Sequence, residues 1–264
     1  AWATLVVNYL MLGLALWLLK TQDFYRPYRI WSRLEGPDWA QLKRFVQLGL
    51  PSGLAIGVEV TSFTLMSLFI SRLGVVATAS HQIVSNMAAV LYMVPLALSI
   101  AGSARVSYWL GAADSRRARR ALRTGLVWVI GMACVLAALI SGYRETIAAF
   151  YTVSPQVATL ASTLLLWVAL YHLADAVQVF CVFTLRSYGI TVLPLLTYTL
   201  LLWGLGLAGG YAVAYGQVDS TALSWLVAQS PVAFWQTSSV ALCLTAVVLL
   251  SVLWRAAYPT RTHR

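Results

Sequence analysis

Charge is what this sequence has least of. Only 10% of its 264 residues are charged, and just 8 are acidic, where about 25% charged is usual in soluble domains. Hydrophobic residues make up 60%. A water-soluble domain of this size has no room to hide so much apolar surface. A disordered chain and an ordinary soluble enzyme are therefore excluded, and the excess must face lipid. Cysteine is scarce too. Cys134, Cys181 and Cys243 lie in separate apolar runs, without CxxC spacing or a histidine cluster. That excludes a disulfide framework and a zinc site and leaves them as small packing residues. No HExxH, GxSxG or paired-histidine motif is present. The net charge of +10 is not arranged as a basic stripe interleaved with aromatics, so no nucleic-acid partner is expected.

What the chain does have is long apolar runs, at about 1–19, 46–71, 75–104, 124–142, 156–185, 190–215 and 234–254. Each is long enough to cross about 30 Å of hydrocarbon at about 1.5 Å per residue. The expected fold class is an all-α membrane protein with seven transmembrane helices; barrel strands would alternate over about 10 residues. The chain opens at Ala1 inside an apolar run, with no basic segment before it and no cleavage site after it. This reads as a spanning helix of a fragment rather than a signal peptide.

Sixteen of the 18 Lys and Arg fall in gaps on one side of this arrangement, leaving only Arg72 and Arg144 on the other. The positive-inside bias then places the loops at 20–45, 105–123 and 186–190, and the C-terminus, in the cytoplasm of a multi-pass cell-membrane protein. Residues 20–44 read as a linker punctuated by Pro27, Gly36 and Pro37, with Trp31 and Trp39 suited to the interface. Asp38 is the expected N-cap of the helix that follows. Gly111 suits a helix C-terminus and Asp114 or Ser115 the next N-cap. The arginines at 116–123 read as topology anchors, with contact to anionic lipid the other reading.

Acids buried in a membrane are expensive, so they usually face a cavity or a partner. Glu59 lies near the middle of the second run. Asp175 lies eleven residues before Arg186 in the fifth, about 16 Å along a helix and at similar depth. Two carboxylates in a dry site cannot both stay ionised cheaply; such a pair takes up a proton or holds Na⁺ with neutral oxygens. Helical spacing adds polar stripes: Ser52, Glu59, Ser62 and Met66; Tyr171, Asp175 and Gln178; Gln82, Ser85, Ala89 and Tyr92. Tyr92 offers a cation–π face or packs with its hydroxyl satisfied. His81 is either a proton relay or a hydrogen-bonded buried histidine. Pro51, Pro95 and Pro194 are expected to kink or loosen their helices. Gly49, Gly53 and Gly57 form a face suited to close helix packing.

The run from Gly49-Leu50-Pro51-Ser52-Gly53 to Glu59, then Ala79-Ser80-His81-Gln82-Ile83 and Pro95-Leu96-Ala97-Leu98-Ser99, resembles the multidrug and toxic-compound extrusion (MATE) transporters. Arg105-Val106, the Gly111-to-Arg120 loop, and Asp175-Ala176-Val177-Gln178 followed by Leu185-Arg186 resemble them as well. The likeness covers about 45–200 and is closest to the NorM-like branch. It departs at Ser187, where the family frequently has glycine, and after Gly189, where Ile190, Thr191 and Val192 stand in place of the family's frequent Asp-Thr-Arg.

The resemblance implies an antiporter of two six-helix lobes that exports drugs or organic cations in exchange for Na⁺ or H⁺ by alternating access. Residues 1–19 would be the last helix of a missing N-terminal lobe, 20–44 the interlobe linker, 45–256 the six-helix C-terminal lobe and 257–264 a cytoplasmic tail. Glu59, Asp175 and Tyr92 would couple the cation or proton, with Glu59 and Asp175 holding Na⁺ in a sodium-coupled member. Gln82, Ser85, Tyr171, Gln178 and Ser62 would line the substrate cavity. No cofactor beyond the coupling ion is expected; the implied partners are drugs, membrane lipid and the other lobe. Two alternatives stand beside this. One is a lipid-linked sugar flippase or polysaccharide exporter of related helix plan, which needs cavity cations and for which Arg105 is the candidate. The other is a membrane-embedded enzyme using Asp and His for acid–base chemistry.

Overall fold

The computed structural model describes residues 2–23, 25, 36–216 and 230–258. Among them are seven helices long and apolar enough to cross a membrane: α1 (Trp2–Thr21), α2 (Trp39–Ser71), α3 (Val75–Gly111), α4 (Ser115–Tyr151), α5 (Pro155–Ser187), α6 (Val192–Ala214) and α7 (Val232–Ala257). No strand occurs among the described residues. Helices α3 and α4 run well beyond their apolar cores. Arginine, alanine and leucine are good helix formers, so the charged stretch 115–123 extends α4 instead of forming a loop. The linker residues Arg26, Pro27, Arg29, Trp31 and Arg33 and the tail 259–264 lie outside the described residues.

The chain divides between Phe45 and Val46 into two units. In the first, α1 buries none of its residues. Asp38 caps the start of α2: its Oδ1 accepts from the backbone N–H of Ala40 at 2.9 Å and of Gln41 at 3.2 Å.

In the second unit α5 is the central helix, packed against α3, α4 and α7, while α3 also packs on α4 and α6 on α7. From Ala174 to Leu185 every residue of α5 except Val177 and Phe183 is buried. Short turns make successive helices from α2 to α6 antiparallel. Gly74 (φ 106°) and Gly189 (φ 75°) supply left-handed turn residues. At the α3–α4 turn Gly111 is the last helical residue, but the left-handed position is taken by Ala113 (φ 56°). Asp114 caps α4 by accepting from Arg117 N at 2.9 Å.

Arginines at the helix ends also make contacts within the second unit. Arg119 lies 5.4 Å and Arg123 5.2 Å from the Tyr258 ring, and Arg123 lies 5.6 Å from the Trp254 ring. These cation–π contacts tie the start of α4 to the end of α7. At the opposite end Arg72 lies 6.0 Å from Tyr215.

The strongest helix irregularity is not at a proline. Pro51 and Pro95 lie inside continuous helices, and Pro194 sits in the first turn of α6. Instead Thr199–Ala208, in the middle of α6, is π-helical. Gly206 and Gly210 let α7 approach there: a Cβ on Gly210 would lie 2.7 Å from Phe234 and 2.8 Å from Thr237 Oγ1. Thr237 Oγ1 reaches Gly206 O, which also accepts from Gly209 N, and Ala233 O on its own helix, both at 2.9 Å. The Gly49, Gly53 and Gly57 face, expected to pack, meets nothing: no described atom lies within 4 Å of a Cβ built on any of the three.

Candidate functional site

A cavity of about 560 Å³ opens between α2, α3, α5 and α6, and both intramembrane acids line it. Glu59 comes from the middle of α2 and Asp175 from the buried centre of α5. Ser85 and Tyr92 enter from α3, Tyr171 from α5 and Tyr198 from α6; Phe63 and Phe183 complete an aromatic wall. The cavity therefore offers two carboxylates, hydroxyl oxygens and ring faces, a donor set suited to a small cation or an organic cation.

Asp175 is held from behind. Gln178, one turn on, donates from Nε2 to Asp175 Oδ1 at 2.9 Å. The Tyr198 hydroxyl in turn donates to Gln178 Oε1. This assigns the amide orientation and fixes the carboxylate. Gln178 is buried and is not among the residues that face the cavity, but its side chain also reaches Glu59, so it stands between the two acids rather than on the open wall.

Two other expected cavity residues lie elsewhere. Gln82 is exposed on α3, one turn away from Ser85 toward the helix start, and does not line the cavity. Ser62 faces a separate void of about 20 Å³ between α2, α5, α6 and α7, shared with Met66 and Leu202, and its hydroxyl bonds to Val58 O at 2.8 Å. In the stripe drawn through Ser52, Glu59, Ser62 and Met66, Ser62 and Met66 lie on the edge turned toward that second void. Phe63 and Thr64, on the Glu59 side, line the cavity instead.

His81 is fully enclosed. Trp235 Nε1 donates to its Nδ1 at 3.3 Å, so Nε2 carries the proton toward Ser67 Oγ at 2.9 Å and Ser85 Oγ at 3.2 Å. Both ring nitrogens are occupied in a tie between α2, α3 and α7, the hydrogen-bonded reading. Trp235 also packs edge-on against Tyr171, at 5.6 Å between ring centres.

The sequence reading missed Arg186 and Tyr198. Arg186, assigned to the loop after α5, lines the cavity, its guanidinium 4.6 Å from the Phe183 ring. Side chains on a helix lean toward its N-terminus, which carries this long one back toward the acids. That direction was the available signal. Arg105, named as the cation for a glycan, lies instead in a separate groove between α3 and α4. Tyr198 left only a weak trace, as a polar residue one turn past Pro194.

The MatE family model matches residues 51–212, which include both acids and most of the cavity wall. This chain belongs to the MatE family. Curated MatE relatives include the probable multidrug resistance protein NorM of Aromatoleum aromaticum, 36% identical over 98% of this chain and 56% of that protein. The multidrug resistance protein PmpM of Pseudomonas aeruginosa is 36% identical over 97% of this chain and 52% of its own length. The chain thus spans about half the length of the curated relatives it matches. Among solved structures, the eukaryotic MATE transporter AtDTX14 has a TM-score of 0.78 at 19% identity, covering 95% of this chain and 54% of that one. An outward-facing multidrug resistance MATE transporter has a TM-score of 0.68 at 14% identity, covering 86% and 52%. These structural likenesses carry the MatE fold.

Proposed function

We propose that this MatE chain supplies the ion-coupling half of a multidrug efflux antiporter, one that exports drugs or organic cations in exchange for Na⁺ or H⁺. The observation that carries this is the convergence of Glu59 and Asp175, from two different helices, on one aromatic-lined cavity. The names of the relatives support drug export as the cargo class. Coupling requires that ion and drug bind the two access states with different affinity, and a shared acidic cavity makes their binding mutually opposed. Glu59 and Asp175 hold the ion, with Tyr92 beside them. Ser85 and Tyr171 contact cargo. The rest of the cavity wall comes from a companion lobe, and the arginine-rich helix ends face the cytoplasm.

Arg186 is the feature that would serve the alternative, a lipid-linked sugar flippase, whose pyrophosphate needs cations. Two carboxylates in the same cavity oppose such an anion, and efflux of an organic cation remains the better fit.

The experiment is efflux of ethidium from cells or vesicles carrying the natural polypeptide with Glu59→Gln or Asp175→Asn. Each variant is expected to lose ion-coupled efflux at least about tenfold, the equivalent of about 1.4 kcal/mol, at unchanged abundance. Normal ion-coupled efflux from both rejects the assigned site. Transport of labelled lipid-linked sugar in place of ethidium rejects the cargo class.

A further inference from the structure

We propose that the groove between α3 and α4 is a binding site for an anionic phospholipid. It has about the volume of the acid cavity, about 560 Å³, and shares no lining residue with it. Its floor is built so that it cannot close. Gly102 of α3 and Gly125 of α4 face each other over the Phe180 ring of α5. A Cβ on either would lie within 2.7–2.8 Å of that ring. The two helices contribute no side chain at that level, and Phe180 plugs the space beneath.

The groove is amphipathic along its length. Arg105, Arg117 and Arg120 line the end near the α3–α4 turn, and Leu98 and Trp128 the far end. Leu98 and Trp128 each lie thirteen residues from the helix ends at Gly111 and Ser115, about 20 Å away. One arginine is partly spoken for: Arg117 Nε sits 3.2 Å from Asp114 Oδ2, and its guanidinium stacks 4.7 Å from Trp109. Arg105 and Arg120 have no carboxylate within ion-pair distance among the described residues. Two uncompensated guanidiniums at the mouth of a long apolar trough match a phosphate headgroup with an acyl chain lying along the helices. The same charge opposes an organic cation, so the groove is not a second drug site.

The test is native mass spectrometry of the natural polypeptide titrated with phosphatidylglycerol or phosphatidylcholine, with a diazirine-tailed phosphatidylglycerol to map the contact. Phosphatidylglycerol is expected to bind in preference and to label peptides within 98–128. Arg105→Gln with Arg120→Gln should weaken phosphatidylglycerol about 25-fold, about fivefold per arginine, and leave phosphatidylcholine unchanged. Ala101→Trp, which keeps every charge but fills the trough, should weaken both lipids. Three results overturn the proposal: unchanged phosphatidylglycerol affinity in the double arginine variant, labelling confined to other segments because protein covers the groove, or glycerol phosphate competing as well as the intact lipid.

Discussion

Phe180 offers the sharpest test of how the second unit is packed. Its ring is fully buried among Val129, Ala133 and Ala176. A Cβ at Gly125 would lie 2.8 Å from both Cε2 and Cζ, and one at Gly102 would lie 2.7 Å from Cε2. Ordinary contact is wider by over half an ångström. Retreat from one glycine drives the ring toward the other, so neither substitution has an easy escape. Overpacking of a core costs about 1–3 kcal/mol, and alanine returns about 0.5–1 kcal/mol of helix preference over glycine. With no easy escape the overpacking cost falls in the upper part of that range, about 2–3 kcal/mol, so Gly125→Ala should destabilise by about 1–2.5 kcal/mol net. Phe180→Leu alone should cost less than the about 3–5 kcal/mol typical of truncating a buried ring to alanine. Together they should be less damaging than their sum by about 1–2 kcal/mol, because leucine removes the atoms the new methyl strikes. Equilibrium unfolding in mixed detergent micelles gives the four corners of this cycle. A Gly125→Ala variant as stable as the parent, or strict additivity with Phe180→Leu, would refute the wedge.

Three further outcomes follow from the hydrogen bonding. The Asp38 carboxyl is held below the usual carboxylate range by the Gln41 and Ala40 amides it caps. Its contribution to the start of α2 is thus complete above the ordinary pKa of about 3.9 and lost as pH falls through the lower folded value. Protection of the Ala40 and Gln41 amides, measured against the intrinsic exchange rate at each pH, should fall only in that acid range, and Asp38→Asn should remove that fall. Thr237→Val removes a hydroxyl shared between Gly206 O and Ala233 O, both at 2.9 Å, while Gly206 O keeps its Gly209 donor, so it should cost about 0.5–1.5 kcal/mol in unfolding, with Thr237→Ser close to neutral. Gln178→Leu should cost a similar about 1–3 kcal/mol, and adding Tyr198→Phe should cost little more, since Tyr198 reaches Asp175 through that amide.

Helix number and rough limits were legible because hydropathy and the short turns act locally. Asp38 and Asp114 were legible as caps for the same reason. Both acids were legible because a lone carboxylate amid apolar residues has few uses. What one helix wheel cannot supply is which neighbour each face meets. Ser62 lies one turn from Glu59 yet faces another void, because α6 wedges against that side of α2 through the Trp203 Nε1 bond to Val58 O at 3.1 Å. Gln178 shares a turn with Asp175, but the Tyr198 hydroxyl draws it inward. The π segment of α6 was illegible for a related reason: four glycines between 204 and 210 weaken an α-helix without saying how it yields, and the close approach of α7 decides it.

The two acids are held very differently, and that difference bears on coupling. Asp175 sits on the central helix, against which α3, α4 and α7 pack, and a buried amide and a buried hydroxyl fix its carboxylate. Glu59 rides on α2, whose burial is confined to Ala55, Met66 and Ile70. Besides the Gln178 side chain, which reaches Glu59 as well as Asp175, α2 has three ties: the Trp203 bond beside Glu59, Ser67 to His81 at 2.9 Å, and Tyr215 to Phe69 O at 2.7 Å near its end. Two of these three ties lie on the C-terminal side of Glu59, while Pro51 and the open Gly49–Gly57 face lie on the other. Displacement of the first half of α2 therefore changes the reach of Glu59 while leaving Asp175 in place. An ion bridging both carboxylates favours the arrangement that brings them together, and an ion held by Asp175 alone does not. Differential affinity of this kind is what a bound ion needs to select one conformation over another. It also orders the two substitutions: Asp175→Asn should abolish ion binding, whereas Glu59→Gln should leave weak binding that no longer drives efflux.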